Sequence, residues 1–517
     1  MLTLNRCFWV AQAGFLAAMP AMAEVTLESM DRTIRVSGEL IKFENDQYTI
    51  ASGLGQLVID SDKVTCSGEE CPELADQLNQ LIRIASNPSF TSDLLPPLME
   101  ELATQSDASL QLVVQQTTSQ SGLILGEGGL LYGNFQIHSN DTSSAFDKLY
   151  NGDVEIVFSE RRATNAEVER FIDAGLGNLN DSAHETIFGQ DALAAVVSPD
   201  NPVKSITVAQ TEAIFSGQIT NWREIGGADL PIQLYVPADG GELSDYFTRA
   251  ILDQNFSSFS PNVDRTLSSD ELDILVSQQP GAIALLSTSD INVARPVRLA
   301  SACGIIAEPD TFAIRSEDYP LSRRMYAYTT NRATPSLLRR MITILQSPKG
   351  QEIVTDAGFV SLDSETATLD GFGQQLAYSL AAPEQSGELF NMQQFTREVL
   401  NSERLSTTFR FSSGSSQIDN KARADAIRLS ELLERPEYEG VEMLLIGFTD
   451  SIGKSDLNTV LSRRRATQIR DEILAASNGR INPNAITTLG FGAASPAACN
   501  SDEDGRQTNR RVEIWLR

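Results

Sequence analysis

From about residue 80 to residue 362 short apolar runs alternate with amphipathic ones, and this rhythm constrains the fold most. LIRIAS, LQLVVQQ, DVEIVFS, DALAAVVS, PIQLYVP and GAIALLS read as strands. LLPPLMEELATQ, TNAEVERFIDAG, VAQTEAIFSG and ELSDYFTRAILDQ read as helices, and SLLRRMITILQSPKGQEIVTDAG as a long helical finish. Such alternation predicts an α/β architecture with helices over a largely parallel sheet. About 280 residues is large for one doubly wound sheet and natural for two lobes.

The flanks have other textures. Residues 24–75 are rich in Thr, Val, Ile and Tyr, broken by Gly, Asn and Asp, and read as a small β module. So small a module has little core of its own. Residues 363–395 are more polar and less regular, with Ala-Ala-Pro-Glu-Gln-Ser-Gly at 381–387, and read as a linker with some helix. A new α/β pattern fills 396–517. Its strands are TTFRF, VEMLLIGFT, AITTLGFG and RRVEIWL; its helices are NKARADAIRLSELLE and DLNTVLSRRRATQIRDEILAAS.

Residues 1–23 have the form of an export leader: Arg6, a short apolar core from Phe8 to Leu16, then Ala21-Met22-Ala23 as a cleavage site. The apolar run is too short to stay in a bilayer, and no later stretch is long enough to span one. Cys7 precedes the apolar core and is badly placed for lipid attachment. The expectation is an exported, soluble product in the periplasm. With 40 basic and 69 acidic residues, the chain is a poor partner for nucleic acid or anionic membranes. Two histidines, His138 and His184, lie in no motif and leave little material for a zinc site, so neither a metal nor a cofactor is expected. Cys66 and Cys71 can close a short loop in an oxidising compartment. Cys303 and Cys499 either pair across domains or stay free; sequence does not fix the connectivity.

The chemistry is concentrated near the end. GFTDSIGKSDLNTVLSRRRA spans 447–466 and NRRVEIW spans 509–515. Asp450 follows an apolar strand. Asn458, Leu461, Ser462 and Arg465 share one face of the next helix at i, i+3, i+4 and i+7. A carboxylate and a guanidinium facing one pocket suit a zwitterion: the ammonium goes to Asp450 and the carboxylate to the planar fork of Arg465. A plain strand–helix unit with a surface Asp and Arg would look the same on spacing alone. The full pattern is longer: GFTD with Thr449, Gly453, Asn458, Leu461-Ser462, Arg465-Ala466, Gly505-Arg506 and Asn509-Arg510-Arg511-Val512-Glu513. In order and spacing it resembles the OmpA-like peptidoglycan-binding family over about 120 residues. In that family the residues matching Asp450 and Arg465 clamp the diaminopimelate of the peptidoglycan stem peptide. The resemblance implies an OmpA-like α/β sandwich, with Thr449, Asn458, Leu461 and Arg510 around the site. Asn509, Arg510 and Arg511 are expected mainly to hold the last strand and loop. Phe448 departs from the family, which most often has His there.

The middle region has a resemblance of its own. FGQDALAAVVSPDNPVKSITVAQTEAIFSGQITNWREIGGADLPIQLY resembles periplasmic phosphate-binding proteins of the PstS-like family, through its Asn-Pro-Val, Ile-Phe-Ser-Gly and Asn-Trp-x-x-x-Gly-Gly blocks. It covers about 80–362 and implies a two-lobed, hinged type 2 periplasmic-binding-protein fold with its ligand in the cleft. Three loops open helices: Ser86 to Thr91, Ser159 to Arg162, and Asp239 to Glu242. Helix N-termini with hydroxyls can hold an anion, although Ser, Thr and Asp also cap helices routinely. Ser89, Thr91, Ser159 and Gly240 are the candidate anion or solute ligands. The loops depart from the family. Val236-Pro237-Ala238-Asp239-Gly240-Gly241-Glu242 stands where the family has an Arg and a Ser-Gly-Thr run, Glu155 replaces its Asp, and Pro88 removes a donor. Each lost hydrogen bond to a charged group costs roughly 1.5–3 kcal/mol, so tight phosphate binding is not expected.

The leading expectation is therefore a non-enzymatic envelope protein anchored to peptidoglycan, with a solute-binding domain of altered ligand loops, associated with the wall, contact with the outer membrane being left open. The alternative is a phosphate-binding component of an ABC transporter. A third reading, an envelope hydrolase, finds no Ser/His/Asp set, metal cluster or Gly-x-Ser-x-Gly turn to support it.

Overall fold

The structure, a computed structural model, describes residues 24–517 apart from 30–33, 45–46, 54, 69–70, 72–79, 117–118, 140, 239–240, 254–255, 374–376, 378–387 and 415–416. The expected leader, with Cys7, and the candidate ligand Gly240 lie outside the described residues. The chain divides into two compact units, 1–78 and 79–517.

The first unit is an antiparallel sheet of five strands in the order Gly55–Asp60, Gln47–Ser52, Arg35–Glu44, Glu24–Ser29, Val64–Ser67. Val25, Leu27, Tyr48 and Ile50 form its small buried core. Cys66 and Cys71 are joined in a disulfide at its edge, which supplements a core this small.

In the second unit, residues 80–362 form two lobes. The first lobe packs Ile82, Ile84, Leu98, Phe135, Phe188 and Leu338 in one core, and Phe146, Val157, Phe171 and Tyr328 on the other side of its sheet. The second lobe is built around Phe215, Trp222, Phe247, Ile283 and Leu285. Strands Glu185–Val197 and Ser322–Tyr328 pair along their length and run through both lobes. Glu185 to Ile187 lie opposite Tyr328 to Tyr326 in the first lobe, and Leu193 to Val197 continue against Ala282–Ser287 in the second. These are the hinge strands.

The expected largely parallel sheet is instead mixed. Parallel pairing joins Gln80–Ser86 to Leu131–Ser139 and to Ile156–Ser159, and Gln233–Tyr235 to Ala282–Ser287. The hinge strands are antiparallel. So are Ser109–Gln116, Ser119–Leu125 and Leu131–Ser139, whose short connections force the chain to turn straight back. The long helical finish is two helices, Ser336–Gln346 and Pro348–Asp356. Pro348 cannot continue the first, and Ser347 caps the second by accepting from Gly350 N.

The C-terminal part is a five-stranded sheet in the order Thr366–Thr368, Glu403–Arg410, Arg511–Leu516, Met443–Gly447, Ile486–Gly490. Helices Asn420–Leu433 and Ser455–Ala476 bury Ala422, Leu429, Ile469 and Ile473 on one face. Helix Glu388–Val399 buries Met392, Phe395 and Val399 against Leu444, Phe448 and Trp515 on the other. The stretch expected as a linker thus supplies an edge strand and one whole covering layer of this domain. Among the described residues no helix is long and apolar enough to cross a membrane.

Candidate functional site

Helix Ser455–Ala476 lies against the strand that ends at Gly447. A Cβ at Gly447 would sit 2.0 Å from Ser462 O, so glycine is what lets the helix approach this closely. The strand then gives way to a loop carrying Thr449 and Asp450, with Gly453 at φ +101° turning it into the helix. Asn458 fastens this loop: its Nδ2 donates to Asp450 O at 3.3 Å and Ile452 O at 3.1 Å. Asn500 Oδ1 accepts from Ser451 N at 3.2 Å, and Asn509 Nδ2 donates to that same oxygen at 2.9 Å. Asn509 also accepts from Ala497 N and Ala498 N. Asn509 therefore braces two loops at once.

Asp450 is paired with Arg510, Oδ2 to Nη1 at 2.8 Å, while its Oδ1 accepts from Ile452 N at 3.1 Å. Arg510 donates further to Glu503 at 2.7 Å, to Gln507, and through Nε to Phe411 O at 3.2 Å. Arg465 is 1% exposed and stacks over the Phe411 ring at 5.0 Å. Burial, then the neighbouring Arg510, lower its pKa, and Asp450 partly offsets them. Two guanidiniums thus flank one carboxylate, with Arg510 in direct contact. Thr449 is buried beside them; its N donates to Gly492 O at 2.9 Å and its Oγ1 has no hydrogen-bond partner among the described residues. Leu461 is partly exposed, and Ile452, Leu457 and Val460 are exposed nearby in sequence on the loop and the first turns of the helix. Phe448, where a histidine was the expected residue, is buried between Phe395 and the Arg511 guanidinium and faces the sheet core.

A second candidate site is a cleft of about 320 Å3 between the lobes. Ser89 lines it, as do Asn87, Glu160, Glu242, Asp290 and Arg323. Thr91 is turned inward, sharing a hydrogen with Ser86 at 2.6 Å and donating to Asn87 O. Ser159 is fully buried and donates to Arg161 O at 2.6 Å. Glu155 holds Arg83 at 2.5 Å, and the two loop arginines are engaged elsewhere, Arg161 with Glu167 and Arg162 with Glu185.

Arg323 is the one cation among the described lining residues. It is already saturated, with Glu160 at 2.6 Å and Asp191 at 2.7 Å. Burial opposes its charge, but these two carboxylates outweigh burial and raise its pKa. Asn87 donates to Glu160, and Ser287 and Thr288 donate to Asp191. The N-terminus of helix Thr142–Asn151 is taken by the chain's own anion, since Thr142 N donates to Glu242 Oε1 at 3.0 Å. Burial, and after it the charge of Asp191, push Asp290 up to about 6. The cleft is therefore acidic, and among the described residues Arg323, Asn87 and Thr142 N are committed to internal carboxylates. Among the described residues no His, Cys, Asp and Glu cluster could hold a metal. Cys303 and Cys499 form a disulfide, the cross-domain alternative of the two open to the sequence.

Sequence reasoning expected Asn509 to hold a loop but missed its partner Asn500, and it missed the Phe411 platform and the Glu242 cap. The Phe411 and Glu242 contacts join segments far apart in the chain. The Asn in NRRVEIW was the one visible signal.

Residues 82–344 match the PBP superfamily domain and residues 410–510 match the OmpA family. Phosphate-binding protein PstS of Bacillus subtilis is 30% identical over 184 residues, 35% of this chain and 59% of that one. Outer membrane porin F of Pseudomonas aeruginosa is 31% identical over 113 residues, 21% of this chain and 30% of that one. The chain thus spans well under two thirds of either relative. A crystal structure of an ABC-type phosphate transport receptor from Vibrio cholerae aligns with a TM-score of 0.40 and 20% identity, over 54% of this chain and 99% of that one. The chain belongs to the PBP superfamily and carries an OmpA family domain at residues 410–510.

Proposed function

We propose that this protein grips peptidoglycan in the cell envelope through the pocket around Asp450, and that its two-lobed domain is a solute-binding domain that does not take free phosphate. The observation that carries the first part is one partly buried carboxylate in contact with Arg510 and near enough to Arg465 to act on its charge. Asp450 uses two of its roughly four acceptor positions on Arg510 and Ile452, which leaves room for a ligand ammonium. The ligand carboxylate goes to Arg465, beside which the buried Thr449 hydroxyl has no hydrogen-bond partner among the described residues. The α-amino and α-carboxyl groups of a diaminopimelate in the stem peptide meet these requirements. A periplasmic location facing the wall, and a binding role without catalysis, follow from this reading.

The test is co-sedimentation of the full chain with purified sacculi. Wild type is expected to pellet, and Asp450→Ala and Arg465→Ala to stay in the supernatant. Pelleting of both variants at the wild-type level defeats the assignment.

A second reading, a phosphate carrier for a permease, is favoured by the likeness to the phosphate-binding protein of Bacillus subtilis. Against it stand the Glu242 carboxylate at the helix N-terminus and the saturation of Arg323 by Glu160 and Asp191. A phosphate dianion entering here would meet four lining carboxylates, Asp141, Glu160, Glu242 and Asp290. Titration calorimetry of the full chain with inorganic phosphate separates the readings: no heat at millimolar phosphate supports the altered cleft, and micromolar binding restores the carrier.

A further inference from the structure

Two-lobed binding domains close by bending a few residues in the strands between the lobes. In this protein a third body sits across that bend. Adjacent residues of a strand point to opposite faces of the sheet. Arg323 faces the cleft, with Glu160 and Asp191. Its neighbour Arg324 faces the other way and holds Glu317 of the second lobe and Asp419 of the C-terminal domain, each at 2.5 Å. The C-terminal domain thus rests on the back of the hinge, opposite the cleft.

From there it holds both lobes. On the first lobe, Asn420 Nδ2 donates to Asn180 O at 2.9 Å and Glu185 Oε2 at 2.7 Å. On the second lobe, Asp318 accepts from Arg404 at 2.9 Å and Arg410 at 2.7 Å. Arg410 also donates to Ser316 O, and the Phe312 ring packs on Phe372 at 5.6 Å. The Cys303–Cys499 disulfide adds a covalent tie to the same lobe. On the cleft side the lobes are also joined directly, by Thr142 N to Glu242. A rigid domain fixed to both lobes must lose one set of contacts before the lobes can turn against each other.

We infer that the C-terminal domain is a splint across the hinge, which holds the two lobes at one separation and removes the open–closed motion of a solute trap. This does not depend on what the Asp450 pocket binds.

The test is the inter-lobe distance in the full chain, by pulsed electron resonance between spin labels at Glu169→Cys and Asn262→Cys, both at exposed positions of opposite lobes. The parent is expected to give a single narrow distance, unchanged by millimolar inorganic phosphate. Two distances in the parent, or a shift with phosphate, overturn the splint. In Asp419→Ser/Asn420→Ala the first-lobe contacts are lost, while serine keeps the capping oxygen of helix Asn420–Leu433. The distribution is then expected to broaden or split. An unchanged narrow distance in that variant, with the disulfide intact and the circular dichroism native, also overturns it.

Discussion

Asp318 offers a direct measure of how firmly the C-terminal domain is held. Its two oxygens are divided between Arg404 Nη2 at 2.9 Å and Arg410 Nη2 at 2.7 Å; Arg404 is buried, and the Arg410 side chain is 8% exposed. Burial alone would raise the Asp318 pKa; Arg404, Arg410 and then Arg511 outweigh it and hold the carboxyl far below the usual range. Asp318→Asn keeps the volume and removes the charge. Two charge-assisted hydrogen bonds are weakened, and two guanidiniums lose their shared counter-ion. Breaking a buried pair from one side costs about 3–5 kcal/mol. Spread over the unfolding entropy of a unit as large as residues 79–517, that loss should lower Tm by about 3–5 °C at neutral pH. Thermal unfolding followed by near-UV circular dichroism reads it, with Asp229→Asn as the control, because Asp229 is exposed and its partner Arg223 is exposed too. The control should leave the midpoint in place. If Asp318→Asn unfolds with the wild-type midpoint, the interface is not held by this cluster and the reasoning fails.

Gly447→Ala should lower stability by about 1–3 kcal/mol or more and weaken sacculus binding, since its Cβ meets the backbone of Ser462 and must displace the helix that carries Arg465; unchanged unfolding and sedimentation would refute this. Asn509→Ala should loosen the loops bearing Asp450 and Asn500 and reduce sacculus pelleting while the protein stays folded. Asp419, which burial would raise, is held down to about 2, mainly by Arg324. Its contribution is present above the unfolded pKa near ~3.9 and is lost as pH falls through about 2; denaturation between about pH 4 and pH 2 should therefore be shallower in Asp419→Ser. Asp290 has the opposite sign. Its raised pKa gives a contribution that is present below ~3.9 and lost as pH rises through about 6, so Asp290→Asn should stabilise at neutral pH and have little effect near about pH 4.

The pocket was legible where its chemistry is local. Asp450 just after a strand and Arg465 about three turns into the next helix follow from local strand and helix patterns. The Asp450–Arg510 pair spans 60 residues and depends on how the last strand enters the sheet. No local pattern carries that: the family resemblance put Arg510 around the site, but its contact with Asp450 was not visible in the sequence. The same holds in the cleft, where the landing of Glu242 on Thr142 N needed both lobes. Helix Glu388–Val399 followed a polar stretch that hid it, yet Met392, Phe395 and Val399 repeat at helical intervals and all face inward. The strand–helix alternation gave the two lobes correctly and the strand directions poorly, since apolar runs carry no sense of direction.

The bond between Cys303 and Cys499 closes a ring of the chain that includes residues 304 to 498. A single protease cut anywhere in that ring leaves both pieces of the second unit joined, and they part only after a reductant is added. Tension on the Asp450 pocket has a matching route. Cys499 adjoins Asn500, which contacts the Asp450 loop, so a pull there reaches the second lobe through one sulfur–sulfur bond instead of through the intervening peptide.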